Sequence, residues 1–178
     1  QGKALYVGLS RYPADKAREA YRYLAEHDVP CLLYQDRYNI IDRAPQCSGL
    51  IDLAKENGVG FISFSPLQQG LLTGRYLNGI PADSRMARAT SLREDVLTPA
   101  MMDAIRGLNS LAESRGQSLA QMALSWLLND TRTTSVIIGT SSVAQLKDDL
   151  KALDNCYFSE EELRRIEEIS APVQLKTP

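Results

Sequence analysis

Four short apolar runs separated by helical stretches constrain this chain more than any other feature. The runs cover 3–10, 29–35, 59–65 and 134–139, and each ends at small or polar residues. Runs that are apolar at nearly every position are typical of strands buried on both faces, as in a parallel sheet covered by helices. The sequence therefore predicts an α/β protein built from successive strand–helix units.

Helical segments fill the intervals between these runs. Each begins at a capping residue or with proline in its first turn, and most keep apolar residues at helical spacing. Two extra helices precede the last strand, and a stretch without periodicity, 66–97, precedes those helices. A loop of that length inside a compact domain is usually functional. The predicted helices begin near Pro13, Ser48, Thr98, Ser118, Ser142 and Ser159.

Two parallel layouts fit this order, an open doubly wound sheet or part of a (β/α)8 barrel. A whole barrel needs about 250 residues, whereas the chain has 178, so four units would form half of one. We therefore expect a single partial domain over 1–178. The start QGKALYVGLS lacks an initiator methionine and enters a strand almost at once, which favours a fragment.

The composition argues against several classes of protein. The chain is 44% apolar and 24% charged, as in globular proteins, and no window approaches a membrane span or a signal peptide. Its net charge of −2 is spread without a basic stripe, so nucleic acid is not an expected partner. Cys31, Cys47 and Cys156 are far apart, which favours buried free thiols and a reducing, cytoplasmic compartment.

Polar residues follow all four strands, where ligands of parallel α/β proteins bind. Gln35 ends an apolar strand and needs amide partners, which either a structural hydrogen bond or a flat ligand amide would supply. Ser10 alone is as well explained as a turn residue. The other polar groups at strand ends are Arg11 and the segments 37–39, 65–76 and 139–145.

The loop after the third strand, SPLQQGLLTGRY, suggests a phosphate site. Gly70 and Gly74 permit backbone N–H groups to approach phosphate oxygens, and Arg75 supplies charge. The spacing fits neither a P-loop nor a dinucleotide G-x-G-x-x-G fingerprint. Arg85 and Arg88, further along, would reach an anionic ligand or be solvated.

In GTSSVAQLKDDL, Ser142 and Gln145 fit a capping box, and the helix N-terminus they begin is also a natural anion site. Catalytic groups are harder to find. His27, the single histidine, falls at the end of the first helix, and no metal motif or G-x-S-x-G is present. From the residues alone, the chain offers binding groups for an anionic, amide-bearing ligand and no acid or base.

Together these segments resemble the C-terminal half of the aldo-keto reductases, over about 5–169. The resemblance is closest to the branch that includes bacterial glyceraldehyde 3-phosphate reductases and potassium-channel β-subunits. It implies strands five to eight of a (β/α)8 TIM barrel whose N-terminal half is a partner of this chain. The segments that carry it are FSPLQQGLLTGRYLNGIPADSR, SVIIGTSSVAQLKDDLKAL, MALSWLL and YQDRYNIIDR.

By the same resemblance, the chain would bind NADPH in an extended form. Ser10, Arg11 and Gln35 would hold the nicotinamide carboxamide, and Phe64 would stack on the ring. Asp148, Asp149 and Ser142 depart from the usual Glu, Asn and Arg, which leaves the preference for a 2′-phosphate open. The residues expected at the pyrophosphate and adenosine ends are Ser65, Leu67, Gln69, Gly70, Arg75, Arg85, Gly139, Ser141, Gln145, Asp148 and Asp149.

The family's catalytic Asp, Tyr, Lys and His belong to strands one to four, so no catalytic residue is assigned here and the chain would be inactive alone. The implied parent protein reduces small aldehydes, including phosphorylated sugars, with a hydride from NADPH. Two alternatives stay open: a cofactor-loaded regulatory subunit like the channel β-subunits, and a truncated remnant. Because a half barrel has two unpaired edges, the chain alone is expected to aggregate or to pair with a second half, and a homo-oligomer is a further expectation.

Overall fold

The computed structural model describes residues 2–82, 84, 87 and 94–176. Four strands form one sheet whose spatial order equals the chain order, and every neighbouring pair is parallel. This arrangement confirms the predicted parallel α/β architecture and is consistent with a partial barrel; the assignment to strands five to eight stays a prediction. The strands are β1 (Val7–Ser10), β2 (Cys31–Arg37), β3 (Gly60–Phe64) and β4 (Thr133–Val136).

Seven α-helices accompany the sheet in the described residues. Two of them precede β4, as the sequence predicts, and short 3-10 turns follow β3 at Gln68–Thr73 and the sixth helix at Lys151–Asp154. One short helix was not predicted. The helices are α1 (Ala14–Glu26), α2 (Ala44–Cys47, the unpredicted one), α3 (Leu50–Glu56), α4 (Pro99–Ser114), α5 (Leu119–Asn129), α6 (Val143–Leu150) and α7 (Glu160–Ser170).

The residues predicted to begin and end helices do so through interactions within one helical turn. Thr98 Oγ1 accepts from the Met101 amide at 3.2 Å, which satisfies one of the amide donors that the start of α4 leaves unpaired. Capping boxes begin α5 at Ser118 and α7 at Ser159. Gly58 follows α3 at φ 68°, a left-handed conformation that ends a helix at little cost only for glycine.

Alternate residues of the strands divide the sheet into two unlike faces. The covered face, which we define as Leu9, Tyr34, Asp36, Phe61 and Ser63, packs against the helices, and Tyr34 and Phe61 are fully buried. Their rings stack at 6.4 Å between centroids. The open face carries the intervening residues and is only partly buried. Its members are Gly8, Ser10, Leu33, Gln35, Arg37, Gly60, Ile62 and Phe64.

A segment near the end of the chain is joined to the loop that follows β2. The Leu175 amide donates to the Ile41 carbonyl at 2.8 Å, and the Arg43 amide donates to the Leu175 carbonyl at 2.7 Å. Asp42 and Leu175 thereby form an isolated parallel bridge outside the main sheet. This bridge holds the loop after β2 beside the strand ends.

The three cysteines are free, but the prediction that they are buried is wrong for Cys47, which is exposed at the end of α2. Cys31 and Cys156 are half-buried. None of the helices in the described residues is both long and apolar enough to cross a membrane.

Candidate functional site at the strand carboxyl ends

Three of the predicted site residues share the open face. Ser10 is paired in register with Gln35, and Phe64 is paired with Arg37, two residues beyond Gln35. Because side chains alternate between faces along a strand, Ser10, Gln35 and Phe64 all project from the same side of the sheet. The side-chain amide of Gln35 has no hydrogen-bond partner within the described residues, so its donors and acceptor are available to a ligand.

Arg11 is directed elsewhere. Its guanidinium donates to Asp36 Oδ1 at 2.9 Å, and Asp36 belongs to the covered face. Arg11 itself adopts φ 61°, which turns the chain at the end of β1. The hydrogen bond to Asp36 raises the pKa of Arg11 despite partial burial. The structure therefore does not bring this guanidinium together with Ser10 and Gln35, and its predicted contact with a carboxamide stays untested.

The loop after β3 has an unusual backbone. Ser65, Gln68 and Gln69 adopt left-handed conformations at φ 51°, 45° and 56°, followed by Gly70 at φ 102°. Such conformations are unfavourable for residues with a Cβ and cluster at functional sites. The Leu67 carbonyl accepts from the Gly70 amide at 2.8 Å, which closes the turn. The segment is a tight, strained turn at the strand end where the phosphate loop was predicted.

Two side chains of this loop bear on ligand binding, one as an acceptor and one as a cation. Gln69 Oε1 is buried and has no hydrogen-bond partner in the described residues. Arg75 is exposed just beyond Gly74, which has φ 73°. Arg85 and Arg88, the other predicted cations, lie outside the described residues. The loop thus joins an unpartnered amide oxygen with a cation on a backbone that turns sharply.

The sequence placed Asn39 among the polar residues after the second strand but did not predict that it fixes this loop. Asn39, fully buried after β2, donates from Nδ2 to the Ser65 carbonyl at 3.0 Å and to Gln68 Oε1 at 2.8 Å. Its Oδ1 accepts from the Ile41 and Asp42 amides. Asn39 therefore ties the loop after β2 to the loop after β3. The available signal was an asparagine directly after a strand, a residue type that binds nearby backbone amides.

At the start of α6 the predicted capping box is half correct. Ser142 Oγ accepts from the Gln145 amide at 3.1 Å, as expected. The Gln145 side chain does not return to Ser142; its Oε1 accepts from the amide and hydroxyl of Ser141, both at 3.1 Å. The second half of the capping box is therefore formed with Ser141 in place of Ser142. This brings Ser141 and Gln145, both predicted site residues, together. Gly139, just before them, is exposed.

The two carboxylates of α6 have different environments. Asp148 Oδ1 accepts from Gln121 at 3.0 Å and from Lys151 at 3.1 Å. Asp149 is buried, and its Oδ2 lacks a hydrogen-bond partner in the described residues. Burial, and then repulsion from Asp148, raises the pKa of Asp149, while a hydrogen bond from Gln145 opposes the rise. Asp149 thus has an acceptor oxygen that a hydrogen-bond donor would stabilise.

Among the described residues, the carboxylates at the end of β2, Asp36 and Asp42, are paired with Arg11 and Arg37, and no histidine lies at these strand ends. His27 lies at the opposite end of α1, stacked on Tyr23 at 4.1 Å between centroids. Burial raises the pKa of Tyr34 and of Tyr38 to about 12, so both are weak acids at neutral pH. In the described residues, no group of His, Cys, Asp and Glu could hold a metal ion. A cleft of about 470 Å³ lined by Tyr21 and Cys31 lies at the strands' amino ends, away from the candidate site.

Comparison with known proteins places the chain in a family. A sequence profile described as the Aldo/keto reductase family matches residues 1–171. A protein of Escherichia coli strain K12 named L-glyceraldehyde 3-phosphate reductase is 49% identical over 178 residues, which are 98% of this chain and 51% of that protein. The chain therefore spans about half the length of the curated relatives it matches.

The potassium-channel branch is also similar. A probable voltage-gated potassium channel subunit beta from Oryza sativa is 34% identical, over 98% of this chain and 54% of that protein. A putative subunit beta from Schizosaccharomyces pombe is 32% identical, over 94% of this chain and 51% of that protein. The profile covers nearly the whole chain, and the chain belongs to the aldo/keto reductase family.

Proposed function

We propose that this chain is the cofactor-binding half of an NADPH-dependent oxidoreductase that reduces small aldehydes. The observation that carries the proposal is the alignment of Ser10, Gln35 and Phe64 on the open face at the strand carboxyl ends, with the Gln35 amide unpartnered. A flat carboxamide beside an aromatic ring is the part of a nicotinamide that such a group would recognise.

The residues present fit the rest of a dinucleotide. Gln69 Oε1 in the strained loop and Asp149 Oδ2 on α6 are buried acceptors without a partner in the described residues, and ribose hydroxyl or adenine amino donors of the ligand would satisfy them. Arg75 would balance phosphate charge, and Ser141 and Gln145 would border the adenosine end together with Gly139. When bound, the nicotinamide supplies the hydride; this chain's residues hold and orient it.

The general acid that protonates a carbonyl oxygen would come from the N-terminal half of the barrel. Tyr34 and Tyr38, near the strand ends of this chain, have raised pKa values and donate to protein acceptors. The half-length match to the reductase supports the idea that a second half carries the acid. Its name suggests a phosphorylated aldehyde, such as L-glyceraldehyde 3-phosphate, as the substrate class.

A fluorescence titration of the chain with NADPH and with NADH tests the proposal. We expect saturable binding that Phe64→Leu weakens by about tenfold, because the aromatic contact with the nicotinamide is lost. Tyr23→Leu, an exposed aromatic on α1, is the matched control and should leave the affinity unchanged. Absence of binding to both nucleotides, or equal affinity in both variants, would overturn the proposal and favour a remnant.

A second function, a cofactor-loaded regulatory subunit, is favoured by the similarity to the channel subunits. The two functions differ in turnover. Following NADPH consumption with glyceraldehyde 3-phosphate by the full-length protein that contains this chain separates them. Consumption supports the enzyme, whereas tight binding of NADPH without consumption supports the regulatory subunit.

A further inference from the structure

The turn that follows β3, residues 65–73, holds a conformation that its own hydrogen bonds do not require. Ser65, Gln68 and Gln69 carry a Cβ yet adopt positive φ, and such residues persist only where the surrounding structure holds them. Within the turn, the Gln68 amide donates to the Ser65 carbonyl at 3.0 Å. Ordinary turns of negative φ form the same bond. A group outside the turn is therefore needed to select the left-handed conformation.

Asn39 is the polar contact between this turn and the rest of the molecule. Its Nδ2 donates to the Ser65 carbonyl and to Gln68 Oε1, so it holds two of the three left-handed residues. Among the described residues, no other side chain from outside 65–73 forms a hydrogen bond with the turn. Leu72 anchors the end of the turn by being fully buried. The start of the turn therefore depends on Asn39.

Asn39 is itself held firmly enough to impose this geometry. Its Oδ1 accepts from the Ile41 amide at 2.9 Å and from the Asp42 amide at 2.8 Å, and its own amide donates to the Asp42 carbonyl. The Tyr38 carbonyl, just before it, accepts from Ser63 Oγ at 2.6 Å. A reversed side-chain amide would turn its donors toward two backbone amides, so its orientation is fixed. The buried side chain has both donors directed at the turn.

We propose that Asn39 is a positioning residue for dinucleotide binding, which selects the left-handed form of the turn that receives the ligand. This inference rests on the proposed function. Asn39 is fully buried and both Nδ2 protons are used, so it acts through Ser65 and Gln68 and does not touch the ligand. Without it, the turn spends most of its time in other conformations, and the apparent affinity falls with the fraction that can bind.

Steady-state kinetics of the full-length protein that contains this chain test the proposal. Asn39→Asp keeps the oxygen that accepts from the Ile41 and Asp42 amides but loses the donors to the turn. We expect the KM for NADPH to rise by about 10- to 100-fold, the value of two hydrogen bonds. The kcat at saturating NADPH should change by less than about twofold, because bound ligand restores the turn. A role in stability alone would lower the amount of active protein, and hence kcat, at unchanged KM.

A second variant keeps the test decisive if Asn39→Asp does not fold. Gln68→Met keeps the length of the side chain but removes the Oε1 acceptor, so one of the two bonds from Asn39 is lost. The KM for NADPH should then rise by about three- to tenfold. Leu53→Ala is the control, because Leu53 is a buried residue of α3 whose side chain forms no hydrogen bond. It should lower the midpoint of urea denaturation and leave the KM unchanged.

Hydrogen exchange of the unliganded protein checks the turn without any nucleotide. In Asn39→Asp, the amides of Gln68 and Gly70 should exchange about tenfold faster or more, while those of β2 and β3 keep their rates. Unchanged exchange in the turn, equal acceleration throughout the sheet, or an unchanged KM in both loop variants would overturn the inference alone. Absence of binding of both NADPH and NADH to the unmodified protein would overturn the proposed function, and this inference with it.

Discussion

The covered and open faces of the sheet are built from neighbouring residues of the same strands, yet they differ in almost every physical respect. Phe61 on the covered face is fully buried against two tyrosine rings, whereas Ile62 and Phe64 beside it are only partly buried. The side-chain amide of Gln35 on the open face has no hydrogen-bond partner in the described residues, whereas the Asp36 carboxylate, next to it on the covered face, accepts from the Arg11 guanidinium.

This difference separates two tasks along one strand. The covered face carries the packing that holds the helices to the sheet, since apolar area removed from water is the main source of stability. At the strand ends, the open face leaves the polar side chains of Ser10 and Gln35 without protein partners among the described residues, which provides binding groups for a ligand. Substitutions one residue apart should therefore have effects of different kind and size.

The largest effect is expected on the covered face. Phe61→Ala should lower the free energy of unfolding by about 3–5 kcal/mol, because it opens a cavity against Tyr34 and Tyr38. Ile62→Ala, one residue along β3, should lower the free energy of unfolding by only about 1 kcal/mol, because Ile62 is partly buried. Urea denaturation measures both values. Equal losses of unfolding free energy in the two variants would show that the open face is as closely packed as the covered face. That result would contradict the difference between the two faces.

An intermediate effect on the free energy of unfolding, stabilising and not destabilising, is expected for substitution of Asp149. Its pKa is raised in the folded chain, so its contribution favours folding at low pH and is lost as pH rises through that pKa. Asp149→Asn should stabilise the fold by about 1 kcal/mol at pH 7.5, because the buried charge is removed, and by almost nothing near pH 4.

Denaturation of Asp149→Asn at several pH values measures this difference. Asp154→Asn, an exposed carboxylate nearby, is the control and should show no pH-dependent gain. A stabilisation by Asp149→Asn that is the same at every pH would mean that the ionised carboxylate is not the cause.

The smallest effect on stability is expected at Gln35. Gln35→Leu should change the free energy of unfolding by no more than about 0.5 kcal/mol, since no protein partner is lost. The same substitution should weaken nicotinamide dinucleotide binding by about tenfold, the value of one hydrogen bond. Parallel denaturation and fluorescence titrations measure the two quantities. A large loss of stability with unchanged affinity would reverse the roles of the two faces.

Local patterns were sufficient for much of the fold. The apolar runs located all four strands, and Thr98, Ser118 and Ser159 marked helix starts correctly because capping depends on residues within one turn. Strand alternation also explains why Ser10, Gln35 and Phe64 share a face. Whether these residues bind a cofactor stays a prediction.

Contacts between distant segments could not be read from the sequence. The pairing of Arg11 with Asp36 spans 25 positions and depends on the register of β1 against β2. The support that Asn39 gives to the loop after β3 depends likewise on how two loops approach one another. At the start of α6, the Gln145 side chain accepts from the amide of Ser141 and not from that of Ser142. A glutamine at this position can reach either amide, and the backbone geometry determines which hydrogen bond forms.

The bridge between Asp42 and Leu175 has a consequence for synthesis on the ribosome. The sheet can form as soon as β4 is made, but the loop after β2 acquires its last two backbone hydrogen bonds only when Leu175 has left the exit tunnel. A nascent chain stalled after α7 would therefore carry an assembled sheet and an unfinished loop beside its strand ends. Pulse proteolysis of arrested chains would reveal this order as late protection of the segment around Ile41.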